Sequence, residues 1–339
     1  MFPLDIAART DIIRQLMDDI GADRLKIVFM GTPDFAVPSL EAVAAAGHDL
    51  LLVVTQPDRP RGRKRAPQPP PVKNVAQAKG IPVLQPESVN SDNTIDNLIG
   101  LKPDVIAVAA FGQVFGKRVI EAAMVACVNV HASLLPRYRG AAPIQAAILN
   151  GDDVTGVTIQ KMVRKLDAGD IIRQRSTPIG PDETAGELTG RLARLGAELL
   201  VEALEDLKTG RATFESQDDS QATFAPMLRK SDGKIDWHRS AREIARHVRA
   251  MTPWPGAFTF LPGGNQPLRI TLKRAAYREA PARGEPGEVV EVSGDGFTVS
   301  AGQGAVLVRE LQPAGKRHMA ASEFIRGYRL QTGVRLAET

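Results

Sequence analysis

Short apolar runs alternate with helical patterns along the first half of the chain. Apolar residues that recur every three or four positions predict amphipathic helices, and short continuous apolar runs predict buried strands. Their alternation is typical of a parallel sheet that is covered by helices. The predicted strands lie at 26–30, 50–55, 105–109 and 125–130, and the predicted helices lie near 35–46, 72–79, 91–100 and 141–149.

The alternation changes after residue 150. Two strand-like segments, 154–162 and 171–179, are separated by a turn that is too short for a helical crossover, so we expect an antiparallel pair. A long helix over about 183–208 would complete the domain. The pattern therefore predicts a Rossmann-like α/β domain with a mostly parallel sheet over residues 25–210.

The rest of the chain has a different pattern. Residues 211–231 are polar without a sustained period, which predicts an interdomain linker. In residues 232–339 a helix at 240–250 precedes short β-rich runs separated by Gly and Pro turns, which predicts a small β-barrel or sandwich. An OB-like barrel is the form expected for a module that binds nucleic acid, but the periodicity leaves closed and open forms undecided. The runs lie at 257–260, 268–275, 287–292, 296–300 and 305–311.

Residues 1–24 precede the first predicted strand and form an N-terminal extension. They hold five acidic and three basic residues, a balance that fits neither a secretory signal nor a transit peptide. Apolar residues at helical spacing predict a short amphipathic helix within them. These residues are Ile12, Ile13, Leu16, Met17 and Ile20.

The composition is that of an ordinary globular protein. Hydrophobic residues make up 43% and charged residues 24% of the 339 positions, which argues against disorder or coiled coil. No apolar run approaches the ~20 residues of a membrane span. The single cysteine, Cys127, cannot form a disulfide within the chain, which favours a reducing, cytoplasmic location. The histidines lack metal-ligand spacing, so no metal is expected.

The net charge of +4 is unevenly distributed. Residues 232–339 carry 16 Lys and Arg against 11 Asp and Glu, whereas the preceding residues are nearly balanced. With a pI of about 9.2, this asymmetry favours a polyanionic partner such as nucleic acid. A solvated basic surface is the alternative interpretation.

Three polar residues are candidates for catalysis. Asn129 and His131 stand two apart near the end of the fourth predicted strand, so they share a face. Asp167 lies in the turn between the two later strands. At one edge of a sheet, an amide and an imidazolium can stabilise a developing oxyanion while a carboxylate orients the imidazole. The alternative is a hydrogen-bonded strand-end histidine and an ordinary turn residue.

Two segments closely resemble the signature of the folate-dependent formyltransferases: NVHASLLPRYRGAAPIQ at 129–145 and LDAGD at 166–170. Within that family, the chain is similar to the branch that formylates methionyl-tRNA. The resemblance covers about residues 25–330, both domains in order. Its further segments are GTPDFA at 31–36, DRP at 58–60, AAFGQ at 109–113, DGKIDW at 232–237 and WPGA at 254–257.

The resemblance implies transfer of a formyl group from 10-formyltetrahydrofolate to the α-amino group of methionyl initiator tRNA, by direct amine attack through a tetrahedral intermediate. Asn129 and His131 would stabilise the oxyanion, and Asp167 would hold the imidazole protonated and relay a proton through water. The folate would lie against residues 109–113 and the Asp167 turn, beside a wall at 133–145. The implied folate contacts are Phe111, Gly112, Gln113, Ser133, Leu134, Leu135, Pro136 and Asp167.

A basic loop follows the second predicted strand. Such a run can neutralise several phosphates, and the resemblance implies that it inserts at the acceptor end of tRNA. A solvated flexible loop is the alternative. The loop is richer in Arg than the family's usual form and has Gln68 and three prolines where Ser or Thr is more usual. The implied tRNA contacts are Arg59, Arg61, Arg63, Lys64 and Arg65.

Three other functions remain as alternatives. One is a formyltransferase for a small amine, such as an amino sugar or a glycinamide ribonucleotide. Another is a formyltetrahydrofolate hydrolase, and the third is an RNA-binding protein without enzymatic activity. We expect initiator methionyl-tRNA as the partner, no membrane and a monomeric protein. A thiol nucleophile at Cys127 is disfavoured against a core thiol.

Overall fold

The computed structural model describes residues 24–61, 66–263, 266–279 and 284–337. The helix predicted within residues 1–24 therefore lies outside the described residues. The chain divides into two compact units, which are described separately. The first contains the chain up to Pro143 with Thr155–Pro178 and Thr189–Ala225, and the second contains Ile144–Val154, Ile179–Leu188 and the chain from Pro226.

The first unit is built on a seven-stranded sheet of order β10-β9-β7-β6-β1-β2-β5. Neighbours from β7 to β5 are parallel, and β9 is antiparallel to β7, which confirms the mostly parallel Rossmann-like sheet. The strands are β1 (Lys26–Gly31), β2 (Asp49–Val54), β3 (Arg59–Arg61), β4 (Ala66–Gln68), β5 (Val83–Leu84), β6 (Val105–Ala109), β7 (Ala126–His131), β8 (Arg139–Gly140), β9 (Val154–Lys161), β10 (Ile171–Pro178) and β11 (Phe224–Ala225).

Helices connect these strands close to the predicted positions. Among the described residues, no helix is long and apolar enough to cross a membrane. The short helix α4, the strand β5 and the hairpin β3-β4 were not predicted. The helices are α1 (Val37–Ala45), α2 (Pro71–Ala78), α3 (Asp92–Leu101), α4 (Lys117–Ile120), α5 (Pro143–Asn150) and α6 (Ala185–Lys208).

The two faces of β7 have different surroundings. Cys127 belongs to an apolar cluster with residues of β1, β6, α3 and α4. On the opposite face, Val130 packs against α6 so closely that a Cβ added to Gly196 would lie 2.7 Å from it. Because side chains alternate along a strand, Asn129 and His131 share the face of Cys127. The polar pair therefore ends an otherwise apolar face.

The strands β9 and β10 form the expected hairpin. The N–H of Lys161 donates to the carbonyl of Asp170 at 2.9 Å, which joins the end of one strand to the start of the next. A Cβ added to Gly169 would lie 1.6 Å from the carbonyl oxygen of Lys161. Only glycine fits here, so this contact fixes the turn that carries Asp167.

The segment predicted as an interdomain linker is bonded to the first unit as far as Ala225. Glu215 and Ile171 exchange two backbone hydrogen bonds, of 2.7 and 2.9 Å. Farther along, β11 pairs in parallel with β8. The polar composition of this segment therefore reflects a stretch that follows the surface of the first unit.

The second unit is an antiparallel sheet of order β12-β13-β16-β15-β14, with β17 paired to β16. The amphipathic helix α7 begins at a capping box of Ser240 and Glu243 and buries Ile244, Val248 and Met251. The helix α8 was not predicted. The elements are α7 (Ala241–Met251), β12 (Ala257–Leu261), β13 (Leu268–Arg278), β14 (Val289–Ser293), β15 (Gly296–Ser300), β16 (Ala305–Pro313), β17 (Met319–Ala320) and α8 (Ala321–Tyr328).

A C-terminal segment joins the two edges of this sheet. The backbones of Ala337 and Phe260 exchange hydrogen bonds of 2.8 and 3.1 Å, which attach the segment to β12. Gly333 and Val334 bond to Val289 of β14, each at 2.8 Å. The sheet is thus closed, which confirms a barrel-like domain and resolves the choice that periodicity left open.

Candidate active site

The structure brings His131 and Asp167 together at the carboxyl edge of the first sheet. In the β7–β9 register, Asn129 pairs with Gln160 and His131 with Thr158. The hairpin then returns Asp167 to the end of β7, where its Oδ2 lies 3.7 Å from Nδ1 of His131. The imidazole is buried, and the carboxylate is 14% exposed. This is the arrangement expected from the sequence.

Both carboxylate oxygens of Asp167 are held by neutral donors. Oδ2 accepts the backbone N–H of Gly140 at 2.8 Å, and Oδ1 accepts Nε2 of Gln160 at 2.9 Å. An ionised carboxylate can only accept hydrogen bonds, so these two N–H groups suit its charged form. The carboxylate is therefore fixed in direction while one of its oxygens faces the imidazole.

The proton positions on His131 follow from its neighbours. Nε2 lies 3.0 Å from the carbonyl oxygen of Tyr138. Because a carbonyl only accepts, Nε2 carries the proton in this contact. Nδ1 faces Asp167 across 3.7 Å, which is longer than a hydrogen bond. Nδ1 carries a proton toward the carboxylate only when both ring nitrogens of His131 are protonated.

Asn129 supplies an amide to the same face. Its side chain is half-buried, and within the described part of the chain the amide has no hydrogen-bond partner. A partly buried amide without a partner can donate to a ligand at little competing cost. Asn129, His131 and Asp167 therefore place hydrogen-bond donors and an acceptor at one edge of the sheet, a set of groups that can stabilise a developing oxyanion.

Sequence reasoning missed Gln160, which bonds Asp167 directly. A signal for it exists in β9, because Thr158 and Gln160 alternate with Val157 and Ile159. All four side chains are buried, and the polar pair bonds Asp167 and the backbone of Ser133. The alternation of polar and apolar residues along β9 was therefore the signal that marked its polar side.

A cavity of about 460 Å³ opens in the first unit along the face of β7 that carries Asn129. Sγ of Cys127 lies 3.5 Å from Sδ of Met162 in its wall. Burial raises the pKa of the Cys127 thiol, so the thiol stays protonated, as a core thiol does. Other lining residues include Lys117, Ile120, Lys161 and Val163. The cavity offers a mixed, partly apolar surface beside the strand that carries Asn129 and His131.

The loop after β6 holds three of the predicted folate contacts. Phe111 is buried in an edge-to-face pair with Phe115, and its carbonyl accepts Oγ1 of Thr32 at 2.8 Å. The amide of Gln113 bonds the backbone of Val89 and of Glu87. The side chains of Phe111 and Gln113 therefore pack against or bond other parts of the protein. Gly112, in contrast, is exposed and has a φ of +90°. Backbone groups near Gly112 are what this loop can present to a ligand.

The wall beside His131 holds four more predicted contacts. Ser133 is buried and donates its hydroxyl to the carbonyl of Arg137 at 2.7 Å, and Leu135 is also buried. Leu134 and Pro136 are half-buried. The buried Ser133 therefore stabilises the backbone of this wall through its hydrogen bond. Leu134 and Pro136 have partly exposed side chains that a ligand can contact.

The basic loop is described only in part. Arg59 lies in β3 and bonds the exposed carboxylate of Glu87 at 3.1 Å. At the base of the loop, Gln85 and Lys73 hydrogen-bond Asp58 and lower the pKa of its carboxyl. Arg63, Lys64, Arg65 and the side chain of Arg61 lie outside the described residues. The loop is thus anchored at the residue that precedes its basic run.

Comparisons with known proteins cover both units. A family model described as formyl transferase matches residues 25–204, and one described as formyl transferase, C-terminal domain, matches residues 227–329. A protein of Geobacter sulfurreducens named methionyl-tRNA formyltransferase is 46% identical over 314 residues, covering 93% of this chain and 97% of its own. One of the same name from Citrifermentans bemidjiense is 48% identical over 309 residues, covering 91% and 95%.

Solved structures show the same fold. WlaRD, a sugar 3N-formyl transferase determined in the presence of dTDP and 5-N-formyl-THF, superposes with a TM-score of 0.64 at 20% identity. The match covers 87% of this chain and 100% of that one. At this identity the likeness concerns the fold alone.

Proposed function

Because the chain belongs to the formyl transferase family, we propose that it transfers the formyl group of 10-formyltetrahydrofolate to the α-amino group of methionyl initiator tRNA. The observation that carries this proposal is the 46% identity to a methionyl-tRNA formyltransferase over 93% of the chain, through both domains. A small-amine formyltransferase, a hydrolase or an RNA-binding protein without activity is not favoured by these relatives.

The catalytic edge fits direct amine attack. The α-amino nitrogen would bond to the carbonyl carbon of the formyl group and give a tetrahedral intermediate. Its collapse would break the bond to the donor nitrogen, which takes up a proton as the amine loses one. Asn129 donates its free amide to the carbonyl oxygen as negative charge develops there, and Nδ1–H of His131 donates beside it. Asp167 orients the imidazole and accepts, through water, the proton that the amine loses.

The donor's pterin ring fits the cavity lined by Cys127 and Met162. Its volume of about 460 Å³ and its polarisable wall suit a flat aromatic ring. The cavity lies along the strand face that ends at Asn129 and His131, so a ring held there would direct the formyl group toward them. Exposed backbone near Gly112 and in the Asp167 turn would bind the polar edge of the ring. Phe111, Gln113 and Ser133 would contribute by holding these segments.

Two basic regions would bind the tRNA. The loop of Arg59, Arg61, Arg63, Lys64 and Arg65 would contact the acceptor end, and the C-terminal unit would supply a wider positive surface. The division at residues 25–210, 211–231 and 232–339, the monomeric state and the cytoplasmic location stay predictions.

A formylation assay with one formyl donor and several acceptors tests the function. Methionyl initiator tRNA should be formylated with a kcat/KM far above that for elongator methionyl-tRNA. Amino sugars and glycinamide ribonucleotide should give no measurable product. A higher kcat/KM for a small amine, or donor hydrolysis without acceptor formylation, would overturn the proposal.

A further inference from the structure

A chain of polar side chains runs from a buried arginine to the catalytic carboxylate in the first unit. Oε1 of Gln217 accepts Nη2 and Nε of Arg139 at 2.7 and 3.1 Å. Nε2 of Gln217 donates to the carbonyl oxygens of Asp167 and Gly169 at 2.9 and 2.7 Å. The same nitrogen lies 3.4 Å from Oε1 of Gln160, whose amide bonds the Asp167 carboxylate.

The charges at the two ends fix the orientation of both amides. The guanidinium of Arg139 has only donors, so the Gln217 atom beside it is the oxygen. An ionised Asp167 has only acceptors, so the Gln160 atom beside it is the nitrogen. Both assignments place Nε2 of Gln217 against acceptors alone. Every hydrogen bond in this series of side chains therefore pairs a donor with an acceptor, and all of them donate in the direction from Arg139 to Asp167.

Arg139 depends on this chain. Its side chain is 1% exposed, and Asp219 also pairs with it, at 2.7 Å from Nη1. Asp219 is itself exposed and also bonds Lys165. A buried guanidinium needs acceptors for its donors, because an unpaired charge in the interior is strongly unfavourable. Gln217 satisfies two of these donors and thereby connects the buried charge to the turn.

The turn that Gln217 holds carries Asp167 in an unusual conformation. Asp167 has a φ of +46°, in the left-handed region that non-glycine residues rarely adopt. Such a conformation persists only where its surroundings enforce it. Gln217 bonds the backbone on both sides of Ala168, which keeps the turn closed and the Asp167 side chain directed at His131.

We propose that Gln217, supported by Arg139, is a positioning residue that fixes the Asp167 carboxylate for catalysis; this inference rests on the proposed formyl transfer. Gln217 bonds the backbone of Asp167 and leaves the carboxylate to Gln160 and Gly140. Its effect on the reaction is therefore exerted through the direction of Asp167.

The first test replaces the side chain and measures formylation. Gln217→Ala should lower kcat about 10- to 100-fold, the range expected when a catalytic group is misplaced by about 1 Å. The KM for tRNA should stay within about threefold, whereas the KM for the formyl donor should rise, because the same turn is proposed to bind the polar edge of the donor's ring. Gln221→Ala is the matched control, because Gln221 is exposed in the same segment and bonds Asp218. A kcat within twofold of wild type for Gln217→Ala would overturn the proposal.

An isosteric variant separates hydrogen bonding from packing. Gln217→Glu keeps the size and an acceptor for Arg139 but loses the N–H donors to Asp167 and Gly169. It should lose at least as much kcat as Gln217→Ala while its melting temperature stays near that of wild type. Wild-type kcat for Gln217→Glu would contradict the role of these donors, even if Gln217→Ala proved unstable.

A double-mutant cycle shows whether Gln217 acts through Asp167. Once Asp167→Ala has removed the carboxylate, adding Gln217→Ala should change kcat by less than about twofold, so the two effects should be non-additive. Full additivity would overturn the positioning role. Wild-type protein that fails to formylate methionyl-tRNA in the same assay would instead contradict the proposed function.

Discussion

The carboxyl edge of the first sheet and the closed sheet of the second unit use polar residues in opposite ways. At the edge, the Asp167 carboxylate accepts two defined N–H groups, from Gly140 and Gln160, in a largely buried setting. In the second unit, ion pairs such as Arg278–Glu291 and Arg317–Glu323 join side chains that are 41% to 75% exposed. An exposed ion pair contributes only ~0–1 kcal/mol to stability.

This difference separates two requirements of the proposed reaction. Acyl transfer depends on a few atoms at fixed distances, so the His131 imidazole and the Asp167 carboxylate at the edge each have defined partners. Binding of a polyanion depends on summed charge, so no single cation of the second unit needs a fixed geometry. Single substitutions should therefore have large effects at the edge and small effects on the charged surface.

The largest contrast is expected from one substitution made in each region. His131→Ala should lower kcat by ~10²–10⁴, because it removes an acid–base group from the reaction. His238→Ala should leave kcat within twofold, since His238 is exposed in the second unit. Single-turnover formylation of methionyl initiator tRNA measures both variants.

Donor and tRNA binding serve as controls for His131→Ala. Titration of both ligands should give affinities close to those of wild type, because the variant keeps the cavity and the basic regions. A near-normal kcat for His131→Ala would show that His131 is not needed for catalysis. It would also contradict the expectation that single substitutions have larger effects at the sheet edge than in the second unit.

An effect of intermediate size is expected from substitutions in the basic loop, because several cations there would contribute to tRNA binding together. Replacing Arg59, Arg61 and Arg63 together by Ala should raise the KM for tRNA by roughly tenfold. It should also reduce the salt dependence of binding by about 0.7 in the log–log slope for each phosphate that the loop no longer neutralises. The KM for the formyl donor should not change.

The charge-matched control replaces the same three arginines by lysine. This triple Lys variant should keep most of the salt dependence, because each lysine still releases counterions. A wild-type KM for tRNA in the triple Ala variant would contradict the role of the loop. An equal rise in the KM for tRNA in the Ala and Lys variants would show that tRNA binding depends on the guanidinium groups themselves and not on positive charge alone.

The smallest effect concerns the pH dependence of stability in the second unit. Burial lowers the pKa of His247, outweighing the opposing hydrogen bond to the Gly233 backbone, and Nε2 of His247 has no partner among the described residues. Below the ordinary value of 6.5 the unfolded chain binds the proton that the folded chain refuses, so the free energy of unfolding falls as the pH is lowered.

Chemical denaturation between pH 7.5 and 5.5 measures this effect. His247→Phe should show a weaker loss of stability on acidification than wild type, because the variant has no imidazole to protonate. His238→Phe, at an exposed histidine, should behave like wild type. A loss that is equal in His247→Phe and wild type would assign the acid sensitivity to other groups.

The sequence predicted most of the elements because their signals are local. The strand β6 lies at 105–109 as predicted, and the helices α3 and α7 deviate from their predicted bounds by one residue. Asn129 and His131 could be placed on one face because alternation along a strand is geometrically fixed. Asp167 could be placed near them only through the resemblance to the folate-dependent formyltransferases, because the turn alone does not say which strand the hairpin lies beside.

Long-range partners could not be predicted in this way. Gln217 lies in a polar stretch without a period, and its contact with Asp167 spans 50 residues. Gly140 contributes only its backbone N–H, which no residue pattern encodes. Barrel closure depends on pairings between residues far apart in the sequence, and strand spacing leaves that choice open.

The segment that joins β12 to β14 has a consequence for how the protein behaves at high concentration. An unpaired strand edge is a template onto which another chain can add a strand, and this is a common route to aggregation. Ala337 satisfies the backbone of Phe260 on one edge, and Gly333 does so for Val289 on the other. The last described segment of the chain therefore protects both edges against self-association in the folded protein.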